Sequence, residues 1–253
     1  MINYLVIDGK PSLDFGLVIS GAGTFTSPQK RYEEVDIPGR NGKLLLNTDN
    51  FFENGQISYE CFVYENAGRI LPKYSHIDAL DQRTLSDKLG ALRAYLGSRN
   101  GYFRLEDTYH PEEYRLAYYS EPFDPEVGQG LDYANLTLKF VCKPQRFRKD
   151  GEIPKVFTTS GKIFNPTGFE AKPLIRAYGT GSFTIDGVAM KINSASGYTD
   201  IDCELMECYK GTTNCNGNVT LNKWAFPKLK SGESSVSLSG ISKLEIKPRW
   251  WTI

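Results

Sequence analysis

The segment TYHPEEYR carries the side chains of this sequence that best fit acid–base chemistry. It holds His110, Glu112 and Glu113, and an imidazole beside two carboxylates can exchange protons near neutral pH. A hydrolase acting on cell-wall polymer would use such a set, but it would also need a nucleophile or oxyanion donors, and we identify none. The alternative is an exposed turn between the strand GYFRLED and a strand that resumes at Tyr114 and Arg115. We favour the turn.

A row of carboxylates in TDIDCE forms a second group of candidate ligands. Asp200, Asp202 and Glu204 alternate along a predicted strand, so they share one face at a spacing of about 7 Å. Such a row can hold a divalent cation. It can also be a solvated outer face whose like charges discourage edge-to-edge association. We expect the solvated face, and we predict no metal site.

Cysteine and histidine give no support to a metal centre or to a thiol nucleophile. The cysteines lie at irregular spacings that do not fit zinc patterns; they are Cys61, Cys142, Cys203, Cys208 and Cys215. His76 and His110 are the only histidines. The sequence has no nucleophile elbow, phosphate loop or dinucleotide-binding glycine pattern. We therefore predict reduced structural thiols, no cofactor and no enzymatic activity.

The stretch DIPGRNG has three interpretations: a phosphate cradle, an adhesive arginine tip, or a turn. A cradle needs a helix N-terminus after the glycines, whereas KLLLN is typical of a strand. An adhesive tip lacks the acidic residue that should stand next to its arginine. Pro38 and Gly39 suit the centre of a type II turn, and Asn41 with Gly42 tolerates positive φ. The stretch therefore predicts the tip of a hairpin with arms YEEVDI and KLLLN.

Consecutive leucines make the second arm of this hairpin apolar on both faces, which is more than a free hairpin should expose. We therefore predict that the hairpin packs onto a neighbouring subunit. Arg40 is available there for a carboxylate or a backbone carbonyl. The predicted interface consists of Ile37, Pro38, Gly39, Arg40, Asn41, Gly42, Leu44 and Leu46.

Charge and hydropathy argue against several classes of partner. The 253 residues include 30 Lys and Arg against 30 Asp and Glu, so no net field attracts nucleic acid or an anionic membrane. MINYLVIDGK resembles a first strand more than a secretion signal, and no segment approaches the roughly 20 apolar residues of a membrane span. We expect no sequence-specific nucleic-acid binding, no membrane association, and synthesis and assembly in a cytoplasm. A short basic run is interpreted as solvated surface: Lys143, Arg146, Arg148 and Lys149.

Period-two alternation in GQISYECFVY and NLTLKFVCK predicts half-buried strands, and we expect Pro144 to end the second ladder. TLSDKLGALRAYLGSR has the spacing of a helix with one apolar stripe. Thr84 and Asp87 can form its capping box, and Gly97 is expected to take the left-handed conformation at its end. The stripe consists of Leu85, Leu89, Leu92 and Leu96.

The composition changes after Lys143, where KPQRFRKDGEIP lacks periodicity and predicts a linker. Beyond it, short strands alternate with turn signals, as in a β-sandwich. One of them, SFTIDGVAMKI, predicts a hairpin with a type I′ Asp-Gly turn. We therefore predict a mainly β fold. Residues 1–143 form an α+β N-terminal domain with one main helix, residues 144–153 form a linker, and residues 154–253 form a sandwich.

Five segments in order resemble the distal tail proteins of siphophages that infect Gram-positive bacteria: IPGRNG, GYFRLEDTYHPEEYRLAYY, LKFVCKPQRF, NPTGFEAKPLIRAYGTG and IKPRWWTI. The resemblance implies an N-terminal domain that forms a hexameric ring under the tail tube, and a galectin-like C-terminal sandwich that projects outward. It also implies a location at the virion tail tip or baseplate. The implied partners are further copies of the chain, including stacked rings, the tail tube protein and the tail-tip hub protein that contacts the host.

A carbohydrate-binding module on the virion surface is the alternative function, because Trp224, Trp250 and Trp251 can form a sugar platform. Galectins, however, bind sugar through H-x-N-x-R and W-x-x-E-x-R segments, and the second half of this chain has no histidine. AFPKL follows Trp224, which also departs from the pattern. Leu244 and Ile246 lead into the terminal tryptophan pair, which indicates a last strand that packs into a core. We therefore expect no sugar binding at the galectin position.

Overall fold

The structure is a computed structural model that describes residues 2–21, 25–46, 51–65, 83–129, 132–222 and 225–253. The chain is mainly β, as the sequence predicts. It divides into two compact units, Met1–Arg146 with Ile253 and Phe147–Thr252. Over the described residues, no helix is both long enough and apolar enough to cross a bilayer.

The first unit contains one large sheet and a separate hairpin. Its strands are β1 (Leu5–Ile7), β2 (Lys10–Pro11), β3 (Leu17–Ser20), β4 (Glu33–Asp36), β5 (Lys43–Leu46), β6 (Gly55–Tyr64), β7 (Phe103–Asp107), β8 (Glu113–Tyr119), β9 (Glu126–Val127) and β10 (Tyr133–Arg148), the last of which ends beyond the unit's boundary. The sheet order is β2-β1-β7-β8-β10-β6-β3, and β9 also pairs with β10. Strands β4 and β5 pair with each other in the separate hairpin.

Strands β6 and β10 form a long antiparallel pair at the centre of this sheet. Cys61 lies opposite Leu136 in the register, so alternate side chains of both strands enter the same core. This confirms the faces predicted from the period-two alternation. The buried side chains are Ile57, Tyr59, Cys61 and Val63 from β6, and Leu136, Leu138, Phe140 and Cys142 from β10.

The segment 144–153 differs from the predicted linker. Pro144 lies inside β10, which continues to Arg148, although the pairing with β6 ends at Cys142. The pairing with β6 has ended before Pro144, so the missing N–H of the proline removes no ladder bond to β6. Lys149–Glu152 then forms a 3₁₀ helix.

Helix α1 (Leu85–Gly97) begins at the predicted capping box. The Asp87 N–H donates to Thr84 Oγ1 at 3.2 Å, and the Thr84 N–H donates to Asp87 Oδ2 at 3.1 Å. The prediction that Gly97 is left-handed at the other end of the helix is wrong. Gly97 is helical, and Ser98 caps the helix with a right-handed backbone at φ −81°.

The predicted apolar stripe of α1 is confirmed, because Leu85, Leu89, Leu92 and Leu96 are all buried in the core of the first unit. Lys88 is fully buried beside them. Its ammonium donates to the carbonyl oxygens of Tyr64 at 2.9 Å and Glu65 at 2.8 Å, where β6 ends. The helix is therefore fixed to the sheet by both apolar and polar contacts.

We expect Thr84→Ala to lower the free energy of unfolding of the first unit by about 0.5–2 kcal/mol, because the Asp87 N–H loses its side-chain acceptor. Urea denaturation followed by helical circular dichroism measures the change. Ser86→Ala is the matched control, since Ser86 is exposed in the same turn of the helix. An equal loss in both variants would contradict the capping role.

The second unit contains two sheets and a last short strand that belongs to neither of them. Its strands are β11 (Lys155–Phe157), β12 (Gly161–Asn165), β13 (Leu174–Tyr178), β14 (Gly181–Ile185), β15 (Val188–Ile192), β16 (Tyr198–Asp202), β17 (Glu207–Lys210), β18 (Thr213–Asn214), β19 (Val219–Leu221), β20 (Gly232–Ser239), β21 (Lys243–Lys247) and β22 (Trp251–Thr252). One sheet has the order β11-β21-β13-β16-β17-β18, and the other has the order β12-β20-β14-β15-β19. Both sheets bury side chains in one core, which is the arrangement of a β-sandwich.

The predicted Asp-Gly turn joins β14 to β15. Ile185 pairs with Val188, and the two residues between them have positive φ, 46° at Asp186 and 79° at Gly187. These values fit a type I′ turn. The Asp186 carboxylate also accepts a hydrogen bond from the Ser235 N–H at 2.8 Å, which ties the turn to β20.

Candidate interaction surface

The hairpin formed by β4 and β5 is extended by an antiparallel bridge between Lys30 and Phe52. Among the described residues, no third strand pairs with it. We call residues 29–46 and 51–53 the arm. A two-stranded hairpin alone is at best marginally stable in water, so a further surface is needed to stabilise the arm.

The tip of the arm is the predicted type II turn. The Arg40 N–H donates to the Ile37 carbonyl at 3.2 Å, and Gly39, which follows Pro38, has a φ of 79°. Gly42 also has a positive φ and leads directly into β5. A strand and not a helix follows the glycines, so the tip offers no helix N-terminus for a phosphate.

The arm exposes apolar side chains on both faces, as the run of leucines predicts. Val35 lies opposite Leu44, so Leu44 and Leu46 share one face while Leu45 lies on the other. Leu45 is 56% exposed and Leu46 is 48% exposed, while Leu44 is half-buried. The structure brings the predicted interface residues together on the outer part of the arm: Ile37, Pro38, Gly39, Arg40, Asn41, Gly42, Leu44 and Leu46.

Three exposed side chains that enlarge this surface were missing from the predicted set. Leu45, Tyr32 and Phe51 all lie on the arm and are largely exposed. The pattern of YEEVDI and KLLLN contains the signal for Leu45 and Tyr32, because both stand in the predicted strands. Nothing in the local sequence indicated that Phe51 would lie beside them.

The arm also carries an acidic strand. Glu33, Glu34 and Asp36 are all exposed on β4. The Lys43 ammonium lies 2.8 Å from Glu34, and this hydrogen bond and charge raise the pKa of Lys43. Ion pairs this exposed contribute little to stability, so the charges of β4 remain available to a partner.

The acid–base candidates lie in and beside the predicted turn, which joins β7 to β8. The carboxylate beside His110 is Asp107, whose Oδ1 lies 3.0 Å from the imidazole Nδ1 and whose Oδ2 accepts from the Tyr59 hydroxyl at 2.7 Å. The Nε2 atom of His110 is enclosed by protein. Glu112 is exposed and Glu113 begins β8. Because neither imidazole nitrogen faces an open site, this geometry gives no acid–base centre.

The carboxylate row of TDIDCE differs from the expected solvated face, and β16 ends at Asp202, so Glu204 lies beyond the strand. Asp200 and Asp202 are buried, and only Glu204 is exposed. Arg176 donates to both oxygens of Asp200 at 2.6 and 2.9 Å, and Arg249 donates to both oxygens of Asp202 at 2.9 and 2.8 Å. Bidentate arginines allow these carboxylates to be buried. Nowhere in the described ranges do three His, Cys, Asp or Glu side chains group as metal ligands do.

The pKa of Asp202 results from opposing effects. Burial raises the pKa. A larger lowering comes from the Arg249 hydrogen bonds, the Arg249 charge and the backbone N–H groups of Leu205 and Glu204. The net pKa lies below the ordinary value of a carboxyl. This pair is therefore a structural ion pair of the sandwich.

The five cysteines are free thiols. Burial raises the pKa of Cys61 to about 12 and that of Cys142 and Cys208 to about 11, and it also raises the pKa of Cys203. The thiolate is the nucleophilic and metal-binding form, so these four groups are inert near neutral pH.

The terminal tryptophans are used inside the second unit. Trp250 is buried in its core, as the sequence predicts. Trp251 stacks on Phe169 with ring centroids 4.4 Å apart, and its indole N–H donates to the Glu170 carbonyl at 2.9 Å. Trp224 and His76 lie outside the described residues. Trp250 is therefore not available to a sugar platform.

The molecule thus combines a sheet unit, a sandwich unit and an exposed apolar arm. This fold is similar to those of solved phage Dit and baseplate proteins. No protein-family model and no curated protein matches the chain.

The likeness is to solved structures and covers the whole chain. The SPP1 Dit (gp 19.1) protein, described as a paradigm of the hub adsorption apparatus in phages that infect Gram-positive bacteria, has a TM-score of 0.73 and 14% identity, with 100% of both chains covered. A chain of the phage P2 baseplate, activated with Ca, has a TM-score of 0.54 and 11% identity over 97% of each chain. The same baseplate activated with Sr gives 0.52 and 10%, over 97% of this chain and 96% of that one. Identities this low indicate a shared fold.

Proposed function

We propose that this chain is a structural subunit of a siphophage tail tip or baseplate. In this proposal it forms a hexameric ring that joins the tail tube to the host-adsorption apparatus. The observation that carries the proposal is the fold shared with SPP1 Dit over the full length of both chains, since that protein is described as an adsorption hub. The protein has no enzymatic role in the proposal.

The exposed arm supports this function physically. A ring forms when a head-to-tail interface closes by rotation, and such an interface needs a protruding element on one copy and a receiving surface on the next. The arm presents apolar and charged side chains that its own unit leaves uncovered. We propose that its outer part, which includes Arg40, contacts the neighbouring copy.

The proposed partners are further copies of the chain, the tail tube protein and the tail-tip hub protein. The proposed location is the tail tip of the virion, after assembly in the host cytoplasm. Light scattering on the purified chain, alone and mixed with the tail-tip hub protein, tests the assembly, and negative-stain electron microscopy tests the ring. We expect sixfold rings, free or in the complex. A strict monomer in both samples would remove the proposal.

We expect Arg40→Glu to weaken ring assembly about tenfold, because a guanidinium that binds a carboxylate or carbonyl of the next copy is replaced by a repelling charge. Sedimentation velocity over a range of protein concentrations measures this effect. Lys191→Glu is the control, because Lys191 is exposed on β15 of the second unit and the substitution makes the same change in charge. If Arg40→Glu assembles as readily as the wild type, Arg40 has no role in the interface.

A further inference from the structure

A cavity of about 280 Å³ lies at the root of the arm, within the first unit. Its walls are the two segments that lead into and out of the arm, 26–29 and 54–57, together with residues 142–144 and the side chains of Arg115 and Arg146. The cavity therefore lies where the arm leaves the large sheet. This volume has room for the end of one side chain.

The charged groups of this cavity are cationic. Arg115 is only 6% exposed, and Arg146 and Lys143 stand beside it in the wall. Burial lowers the pKa of Arg146, and the Arg115 charge lowers it further. Two guanidiniums are thus held close together in a partly desolvated space, where an anion is strongly favoured.

The neighbouring carboxylates, Glu113 and Asp107, lie outside the wall of the cavity. Glu113 lies 3.9 Å from Arg146, beyond hydrogen-bond distance, and Glu113 and Asp107 both raise the pKa of Arg146. Asp107 also accepts hydrogen bonds from the Tyr59 hydroxyl and the His110 N–H. The net effect on Arg146 is still a lowered pKa. The residues that line the cavity include Arg115, Lys143 and Arg146 and no carboxylate, so its wall is positively charged and can accept a further carboxylate.

We propose that this cavity is a carboxylate-binding site, and that its ligand is an acidic side chain of β4, Glu33 or Asp36, from the arm of a second copy of this chain. The proposal rests on the proposed function, because it supplies the receiving surface for the arm. It names both halves of the contact, an acidic strand on one copy and a cationic cavity on the next.

Charge complementarity and exposure favour this occupant. Glu33 and Asp36 are exposed on their own unit, so neither fills a cavity of its own chain. Guanidinium N–H groups bind carboxylates, and Arg115 and Arg146 stand together in this wall, where Arg146 also donates to the Thr26 carbonyl at 2.7 Å. The apolar side chains of the arm would then be buried around a charged contact, which sets the register of the two copies.

Charge reversal tests both halves of the contact. We expect Glu33→Lys with Asp36→Lys in the arm, or Lys143→Glu in the cavity wall, to raise the dissociation constant of assembly by about tenfold or more. Combining the two sets should recover part of this loss. Glu207→Lys is the control, because Glu207 is exposed on β17 of the second unit. Thermal unfolding of each variant shows that the fold is kept. Reversal variants that assemble like the wild type, or a combination no better than either set alone, overturn the proposal.

A peptide separates this inference from the ring itself. The probe is a fluorescent peptide of residues 30–37, KRYEEVDI, added to the full chain carrying the arm reversals, whose cavities are then unfilled. We expect binding that salt weakens, and we expect at least about tenfold weaker binding by the peptide with Glu33→Gln, Glu34→Gln and Asp36→Asn. Failure of the acidic peptide to bind overturns the cavity site even if the wild type forms rings. If the wild type is monomeric and the acidic peptide still binds, the result supports the cavity site and contradicts the proposed ring.

Discussion

Arg249→Met is expected to lower the free energy of unfolding of the second unit by about 3–5 kcal/mol, because it leaves a buried carboxylate without its partner. The Arg249 side chain is 25% exposed and that of Asp202 is 5% exposed, so solvent cannot replace the lost guanidinium. Methionine keeps the length and the apolar contacts of the arginine stem. Urea denaturation measures the change, and adding Asp202→Asn should restore a large part of it.

The same pair predicts a dependence on pH. The folded pKa of Asp202 lies below its unfolded value, so its contribution to stability is fully present above the unfolded pKa and is lost as the pH falls through the folded pKa. In Arg249→Met, burial without the guanidinium raises the pKa of Asp202. Protonation of this carboxylate then removes the buried charge and recovers part of the lost stability of the variant. The difference in stability between wild type and variant should therefore begin to narrow above about pH 4, where Asp202 of the variant takes up its proton, and should go on narrowing as the pH falls through the folded pKa of the wild type.

Lys162→Met provides the matched control, because both side chains of the Lys162–Glu233 ion pair in the same unit are exposed. Its removal should change stability little at any pH. A loss in Lys162→Met as large as that in Arg249→Met, or a difference from wild type that does not narrow in acid, contradicts the assigned role of the buried pair.

The buried pair also shows where sequence reasoning stopped. TDIDCE predicts a strand and a shared face for its carboxylates, because alternation is a local property of the chain. It does not predict that Arg249, 47 residues away, would bury Asp202. Partners at such distances depend on the sheet order, which the local pattern does not contain. His110 is a different case: its partner Asp107 is only three residues away, at the end of β7, and the pattern linked His110 with Glu112 and Glu113 on the other side.

Local rules succeeded where one element decides the outcome. The stripe of α1, its capping box, the Asp186-Gly187 turn and the Pro38-Gly39 turn each depend on a few neighbouring residues, and each is confirmed. The prediction of a linker over 144–153 differs from the structure because a proline and a loss of alternation were taken to end β10. The pairing with β6 has already ended at Cys142, so Pro144 removes no ladder bond to that strand, and β10 continues to Arg148.

The arm lies between these cases. Its strands, tip and apolar faces follow from DIPGRNG and the consecutive leucines. The cavity at its root does not, because its walls come from segments 26–29, 54–57 and 142–144, which are distant in sequence. The basic run that includes Lys143 and Arg146 was interpreted as solvated surface. Arg146 is instead largely buried in the wall of this cavity.

Leu45→Ser with Leu46→Ser is expected to weaken ring assembly about a hundredfold while leaving the monomer folded. Both leucines are about half exposed in the isolated chain, so their loss costs the monomer little. In an interface they would be desolvated, and a fully buried leucine contributes about 1.5–3 kcal/mol relative to an exposed one. Partial burial of both leucines therefore accounts for about 2.8 kcal/mol, which corresponds to a factor of a hundred.

Sedimentation velocity measures the assembly, and thermal unfolding measures the monomer. Leu205→Ser with Met206→Ser is the matched control, since these residues form a second adjacent exposed apolar pair, in the turn between β16 and β17. Equal assembly of the arm variant and the wild type would show that the arm lies outside the interface. Equal weakening in both double variants would show that general surface hydropathy, and not the arm, drives association. Loss confined to the arm variant means that the apolar side chains of the arm are buried against the neighbouring copy.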